Sequence, residues 1–110
     1  MKGLLITKDK AELVDYDGSL ERYYELLKCD IISITYRAVN GKEICIVCDD
    51  EGLFKEGNFI SAVDTDFQPA LVGNLLVVSV NEGEDLETEI FNQCIKRIIH
   101  TVTPVIVLDY

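Results

Sequence analysis

The stretch Ile31-Ile32-Ser33-Ile34-Thr35-Tyr36-Arg37-Ala38-Val39-Asn40-Gly41-Lys42-Glu43-Ile44-Cys45-Ile46-Val47-Cys48 decides the fold. Its first half alternates, with Ile32, Ile34 and Tyr36 on one side and Ser33, Thr35 and Arg37 on the other, the period of a β-strand. Asn40-Gly41 is the strongest short hairpin signal, because both central residues of a type I′ turn need positive φ. The return strand, Glu43–Cys48, is apolar on both faces through Ile44-Cys45-Ile46-Val47-Cys48. It is therefore expected at the centre of a sheet that is covered on each side.

Upstream, Leu4–Thr7 and Glu12–Tyr16 read as two short strands joined by a polar turn, a hairpin arrangement. Asp17-Gly18-Ser19 punctuates the chain, and Ser19 is placed to cap a helix over Leu20–Leu27. In that helix Leu20, Tyr23, Tyr24 and Leu27 fall at i, i+3, i+4 and i+7, so one face is apolar. Tyr23 and Tyr24 read as packing residues with solvated hydroxyls.

Downstream, Asp49-Asp50-Glu51-Gly52 reads as a turn before a short Leu53-Phe54, and Lys55-Glu56-Gly57-Asn58 as a break. Phe59–Val63 fits a helical turn or a strand equally, and Asp64–Pro69 reads as loop. Leu71–Val80 is expected to be a second buried strand, interrupted at Gly73-Asn74 by a bulge or a close backbone approach. After an acidic turn at Asn81–Asp85, a helix is expected from Asp85 as N-cap to about His100. Its stripe runs Leu86, Ile90, Phe91, Cys94, Ile95, Ile98, Ile99 and Val102. Thr103-Pro104 ends it, and Val105–Leu108 reads as a closing strand. The fold class is α+β: one domain over 1–110, an antiparallel or mixed sheet with two helices.

The chain has 110 residues and a formal charge of −10. Residues 1–42 balance seven acids with seven bases, whereas residues 43–95 hold twelve acids and Lys55 alone. Such acidity argues against binding a phosphate backbone directly, where Lys and Arg must replace counterions. It argues equally against an anionic membrane surface. No apolar run approaches the length of a transmembrane helix or a secretory signal core, so a cytoplasmic protein is expected. The four cysteines, 29, 45, 48 and 94, are then expected as free thiols. The acidic surface to be tested as a unit is Asp49, Asp50, Glu51, Asp64, Asp66, Glu82, Glu84 and Asp85.

Catalytic chemistry finds little support in the spacing. Cys45 and Cys48 lie three apart on a strand and point to opposite faces, so one metal or one disulfide cannot take both without a kink. His100, the only histidine, is expected in the last turn of the long helix, where a cation is favourable. No nucleophile or orienting acid stands near it in sequence. Asp64-x-Asp66 and Asp49-Asp50-Glu51 lack the spacing of a calcium loop, and no Gly-rich phosphate loop is present. No metal, no cofactor and no enzymatic activity are expected.

Several segments together carry a likeness. They are Asp17-Gly18-Ser19-Leu20, Cys29-Asp30-Ile31-Ile32, Ile44 through the acidic turn Asp49-Asp50-Glu51-Gly52, then Asn58, then Leu71-Val72-Gly73-Asn74-Leu75-Leu76-Val77-Val78. This pattern resembles a family of small bacterial, plasmid and phage domains of unknown function, over roughly residues 2–90. The chain departs from it at Phe59, where a basic residue is usual, and at Lys28-Cys29, where a Gly usually ends the first helix. The resemblance implies a mobile-element protein that acts on host machinery or defence. Sequestration of a nucleotide-like signal would need cations for phosphate and aromatic faces for a base. The candidates are Tyr36, Arg37, Lys42, Asn58, Phe59 and Arg97, with Lys55 as a further cation. The alternatives are an acidic DNA mimic that blocks a nucleic-acid-binding host protein, and a regulatory or assembly module with no small ligand. Self-association into a homo-oligomer is expected.

Overall fold

In the computed structural model, which describes residues 1–55, 57–100 and 102–109 (Phe54 by its backbone alone), the hairpin that decides the fold is present. Strands β3 (Ile32–Val39) and β4 (Lys42–Asp49) pair antiparallel without a register shift. Asn40 and Gly41 turn between them with φ of 54° and 76°, the positive values that the dipeptide favours. Glu56, inside the expected break, lies outside the described residues.

Two antiparallel strands, β1 (Lys2–Ile6) and β2 (Ala11–Asp15), precede helix α1 (Leu20–Leu27). Ser19 caps this helix, its Oγ accepting from the Arg22 N–H at 3.2 Å. A single 3₁₀ turn, Gly52–Phe54, follows β4. Then come β5 (Ile60–Val63), β6 (Pro69–Val72) and β7 (Leu75–Val78). The second helix, α2 (Thr88–Lys96), leads into β8 (Ile98–His100) and β9 (Pro104–Val107).

The strands form two sheets. Five of them run in the order β2-β1-β7-β4-β3, all antiparallel. The other four run β6-β5-β9-β8, with β5 and β9 parallel. The architecture is α+β. Alternation along the central strands builds two cores on opposite faces of the first sheet. Leu4, Ile6, Ile44, Ile46, Leu75 and Val77 pack with Ala62, Ile98 and Ile106 of the second sheet and Cys94 of α2. Leu5, Cys45, Val47, Leu76 and Val78 pack on the other side with Leu27 of α1 and with Tyr16. The double-faced apolar run 44–48 is thus central and buried throughout.

Two expectations are corrected. Leu71–Val80 is not one strand: Gly73, at φ 86°, ends β6 in one sheet and starts the link to β7 in the other. Of the two expectations there, it is a close approach to the backbone, by the Asn58 amide, that is found and not a bulge. The long helix is also shorter than its stripe. Asp85 does not cap it; its Oδ1 accepts the Lys2 N–H at 2.8 Å, and the Leu86 N–H donates to the Lys2 carbonyl at 2.9 Å. At the other end the β-branched pair Ile98-Ile99 leaves the helix to pair with Ile106 and Val105, an environment in which its stiff side chains pack well. His100 therefore sits exposed on a strand opposite Pro104, not at a helix terminus.

Candidate functional site

Helix α1 has eight residues, about 12 Å of axis. Five strands at roughly 4.8 Å spacing make a sheet that it cannot cover. The uncovered part lies toward β3, where Ile34 and Tyr36 remain 53% and 59% exposed although they point to the same side as the buried Cys45 and Val47. The result is a groove of about 360 Å³ lined by Tyr16, Tyr23, Tyr36, Ile34, Val78 and Val80, with Glu82 at its rim. The rings of Tyr16 and Tyr23 stack with centroids 6.1 Å apart. Burial pushes the Tyr16 phenol up to about 12 and raises that of Tyr23, so both are neutral hydrogen-bonding groups at neutral pH. Burial likewise raises the Cys45 thiol in the floor. Among the described residues lining this groove there is no Lys, Arg or His side chain; Met1 also lines it, its ammonium donating to the Tyr16 carbonyl at 2.9 Å.

The structure does not bring the six sequence-derived ligand residues together. Tyr36 enters the groove, but Arg37 follows it on the strand and faces the other side, its Nε donating to Thr35 Oγ1 at 3.3 Å. Lys42 stands at the hairpin, 3.9 Å from Glu89. Arg97 ties down the C-terminal segment, with Nη2 3.1 Å from Asp109 Oδ1 and 3.2 Å from Asn40 Oδ1. Asn58 and Phe59 line a separate hollow with Lys28, Lys55, Gly73 and Asn74, so the further cation Lys55 does join them there, with Asp49 also in the lining.

Asn58 has a structural task that accounts for the spacing noted in the sequence. Its Nδ2 donates to the Gly52 carbonyl at 2.8 Å, and its Oδ1 accepts the Phe59 N–H at 3.1 Å. A Cβ at Gly73 would stand 2.9 Å from that Nδ2, and one at Gly52 would stand 2.8 Å from the Val72 carbonyl oxygen. The Asp-Glu-Gly turn, the Asn and the Gly that precedes the hydrophobic strand are one knot. It closes where the chain passes from one sheet to the other. The preceding Asp49 is largely buried and ion-paired with Lys55.

The acidic residues form no single face. Register places Cys48 beside Leu75 and Cys45 beside Val78. Asp49, Asp50 and Glu51 therefore leave one end of the sheet, and Glu82, Glu84 and Asp85 follow β7 out of the other. Roughly 20 Å of strand separates the two groups. Asp64 and Asp66 belong to the β5–β6 turn of the second sheet, where Asp64 Oδ1 accepts the N–H groups of Asp66 and Gln68 at 2.8 and 2.9 Å.

Cys45 and Cys48 do point apart, into the two different cores. All four cysteines are free and buried. Among the described residues no three His, Cys, Asp or Glu side chains gather as metal ligands, and no helix is long and apolar enough to cross a membrane. Sequence reasoning missed Tyr16 and Tyr23 as groove residues. The available signal was the mismatch between a one-sided apolar strand and a helix of two turns.

With this geometry the chain defines a small α+β domain with a tyrosine-walled groove beside a short helix. Residues 1–103 match the family described as Domain of unknown function (DUF3846), and the chain belongs to it. No curated protein and no solved structure matches the chain.

Proposed function

We propose that this protein is a non-enzymatic binding module whose groove takes a flat, uncharged ring, as in a nucleobase or nucleoside-like signal. The observation that carries the reading is the groove lining: three tyrosines around an apolar floor without one cationic side chain. Aromatic faces stack on any base, whereas phosphate needs Lys, Arg or backbone donors. The ring portion of the sequence-derived reading is therefore kept and its phosphate portion is dropped. A protein of a bacterial, plasmid or phage gene, acting in the cytoplasm on a host defence signal, fits this ligand class; the four buried free thiols favour a reducing compartment. The DNA-mimic reading draws less support, because the acids divide between opposite ends of the sheet.

Titration of the protein with nucleosides and their mono- and triphosphates, followed by tyrosine emission and melting temperature, tests the proposal. Nucleosides are expected to raise the melting temperature and triphosphates to raise it less. Tyr36→Ala should weaken binding by about 5- to 100-fold, the size of one lost stacking contact. A flat response across the panel, or one that Tyr36→Ala leaves intact, refutes the reading.

A further inference from the structure

Strand β3 is an outer strand of the first sheet, and its register fixes which backbone groups face away from it. The Asp50 N–H donates to the Ile31 carbonyl at 3.0 Å. Odd-numbered residues of β3 therefore exchange hydrogen bonds with β4, and even-numbered ones direct their N–H and C=O groups outward. Ala38 has its carbonyl occupied by the Asp109 N–H at 2.9 Å. The outward groups of Ile32, Ile34 and Tyr36 have no backbone partner among the described residues.

Other edges of this protein carry the guards that keep sheet edges apart. Strand β2 has five residues, with Glu12 and Asp15 charged. Strand β6 begins at Pro69 and pairs with register shifts, and β8 has three residues. Strand β3 has eight residues, no Pro or Gly, and an unbroken register.

We propose that β3 pairs antiparallel with β3 of a second copy of this chain, about a two-fold axis through Ile34, joining two five-stranded sheets into one. The three open residues are symmetric about Ile34, so the pairs are Ile34 with Ile34, Ile32 with Tyr36, and Tyr36 with Ile32. If all three pair in full, they exchange six backbone hydrogen bonds. Side chains match on both faces. The groove side brings isoleucine against isoleucine and tyrosine, and the other side brings Ser33 against Thr35, both favourable cross-strand pairs.

Charge selects a second copy as the occupant. The protein carries −10, yet residues 31–42 contain none of its twenty acids. The flanking acids, Asp30 and the Asp109 that pairs with Ala38, fall at the two ends of the seam, so two such chains meet at its centre with little repulsion. The two Arg37 side chains, each three residues from the axis, stay roughly 20 Å apart along the strands. The pairing also sets Tyr36 of each copy beside Ile32 of the other, so the two grooves share one face. It stands whether or not the groove takes a ring.

Sedimentation equilibrium of the full chain up to about 100 µM should give a dimer. Ile34→Glu sets two carboxylates across the axis and should weaken dimerisation at least about 10-fold. The folded circular dichroism spectrum should remain, since Ile34 is already 53% exposed. Ile34→Cys should form an intermolecular disulfide on mild oxidation, because directly opposed Cα atoms near 5.5 Å suit the bond. Thr35→Cys, opposite Ser33, should not. A monomer throughout, a dimer indifferent to Ile34→Glu, or cross-linking at 35 and not 34 overturns the proposal. A monomer that still binds nucleosides removes the dimer alone.

Discussion

Lys28 and Gly73 occupy similar backbone conformations with opposite suitability. Lys28 ends α1 at φ 54°, its N–H donating to the Tyr24 carbonyl, in the left-handed region where a Cβ is unfavourable. Lys28→Gly should raise stability by about 0.5–1 kcal/mol, the relief being partly offset by the greater freedom of Gly when unfolded. Gly73 holds φ 86° against the Asn58 amide, so Gly73→Ala should cost about 1–3 kcal/mol. Urea midpoints measured on the two variants should move in opposite directions. A shared direction would show that the left-handed conformation is not what governs either site.

At the scale of the element, α1 is held by its cap and by one packed face. Asp17 Oδ1 accepts both the N–H and the hydroxyl of Ser19, at 2.9 and 2.6 Å, and so orients the capping oxygen. Ser19→Ala should cost about 1 kcal/mol, a fall in melting temperature of roughly 4–6 °C for a domain of this size. Amide exchange should quicken in the first turn of α1 and not in β4; uniform acceleration would contradict a local role. This helix was legible because cap, acidic first turn and apolar spacing agree. The end of α2 was not, because Ile98 and Ile99 continue the helical stripe as well as they fit a strand. Only a partner six or more residues ahead, Val105 and Ile106, decides between them. The same holds at Gly73: a glycine within an apolar run reads as a bulge until two sheets exist for the run to divide between. Alternation also explains the scattered ligand candidates, since Tyr36 and Arg37 are neighbours in sequence and opposed in space.

For the whole molecule, the buried ionisable groups predict alkaline lability. Burial raises the Tyr16 phenol to about 12 and the Cys94 thiol to about 11, from 10.0 and 9.0. Both are kept protonated by the fold, so their contribution is complete below about pH 9 and is lost as pH climbs through the folded values. Urea midpoints should therefore hold steady from about pH 7 to 9 and fall beyond it, and a midpoint that rises toward pH 11 would contradict the buried, neutral assignment. Absorbance at the phenolate band should show Tyr16 and Tyr23 ionising after an ordinary phenol.

Strand β7 fills the gap between β1 and β4, though some seventy residues of chain separate it from β1. Neither hairpin made earlier can complete the sheet without it. On a ribosome both must wait, with the apolar sides of β4 bare, until translation has passed Val78. Assembly is then governed by loop closure over a long span, which places this chain among slow folders for its size. That waiting period is when a chaperone, or aggregation, would find it.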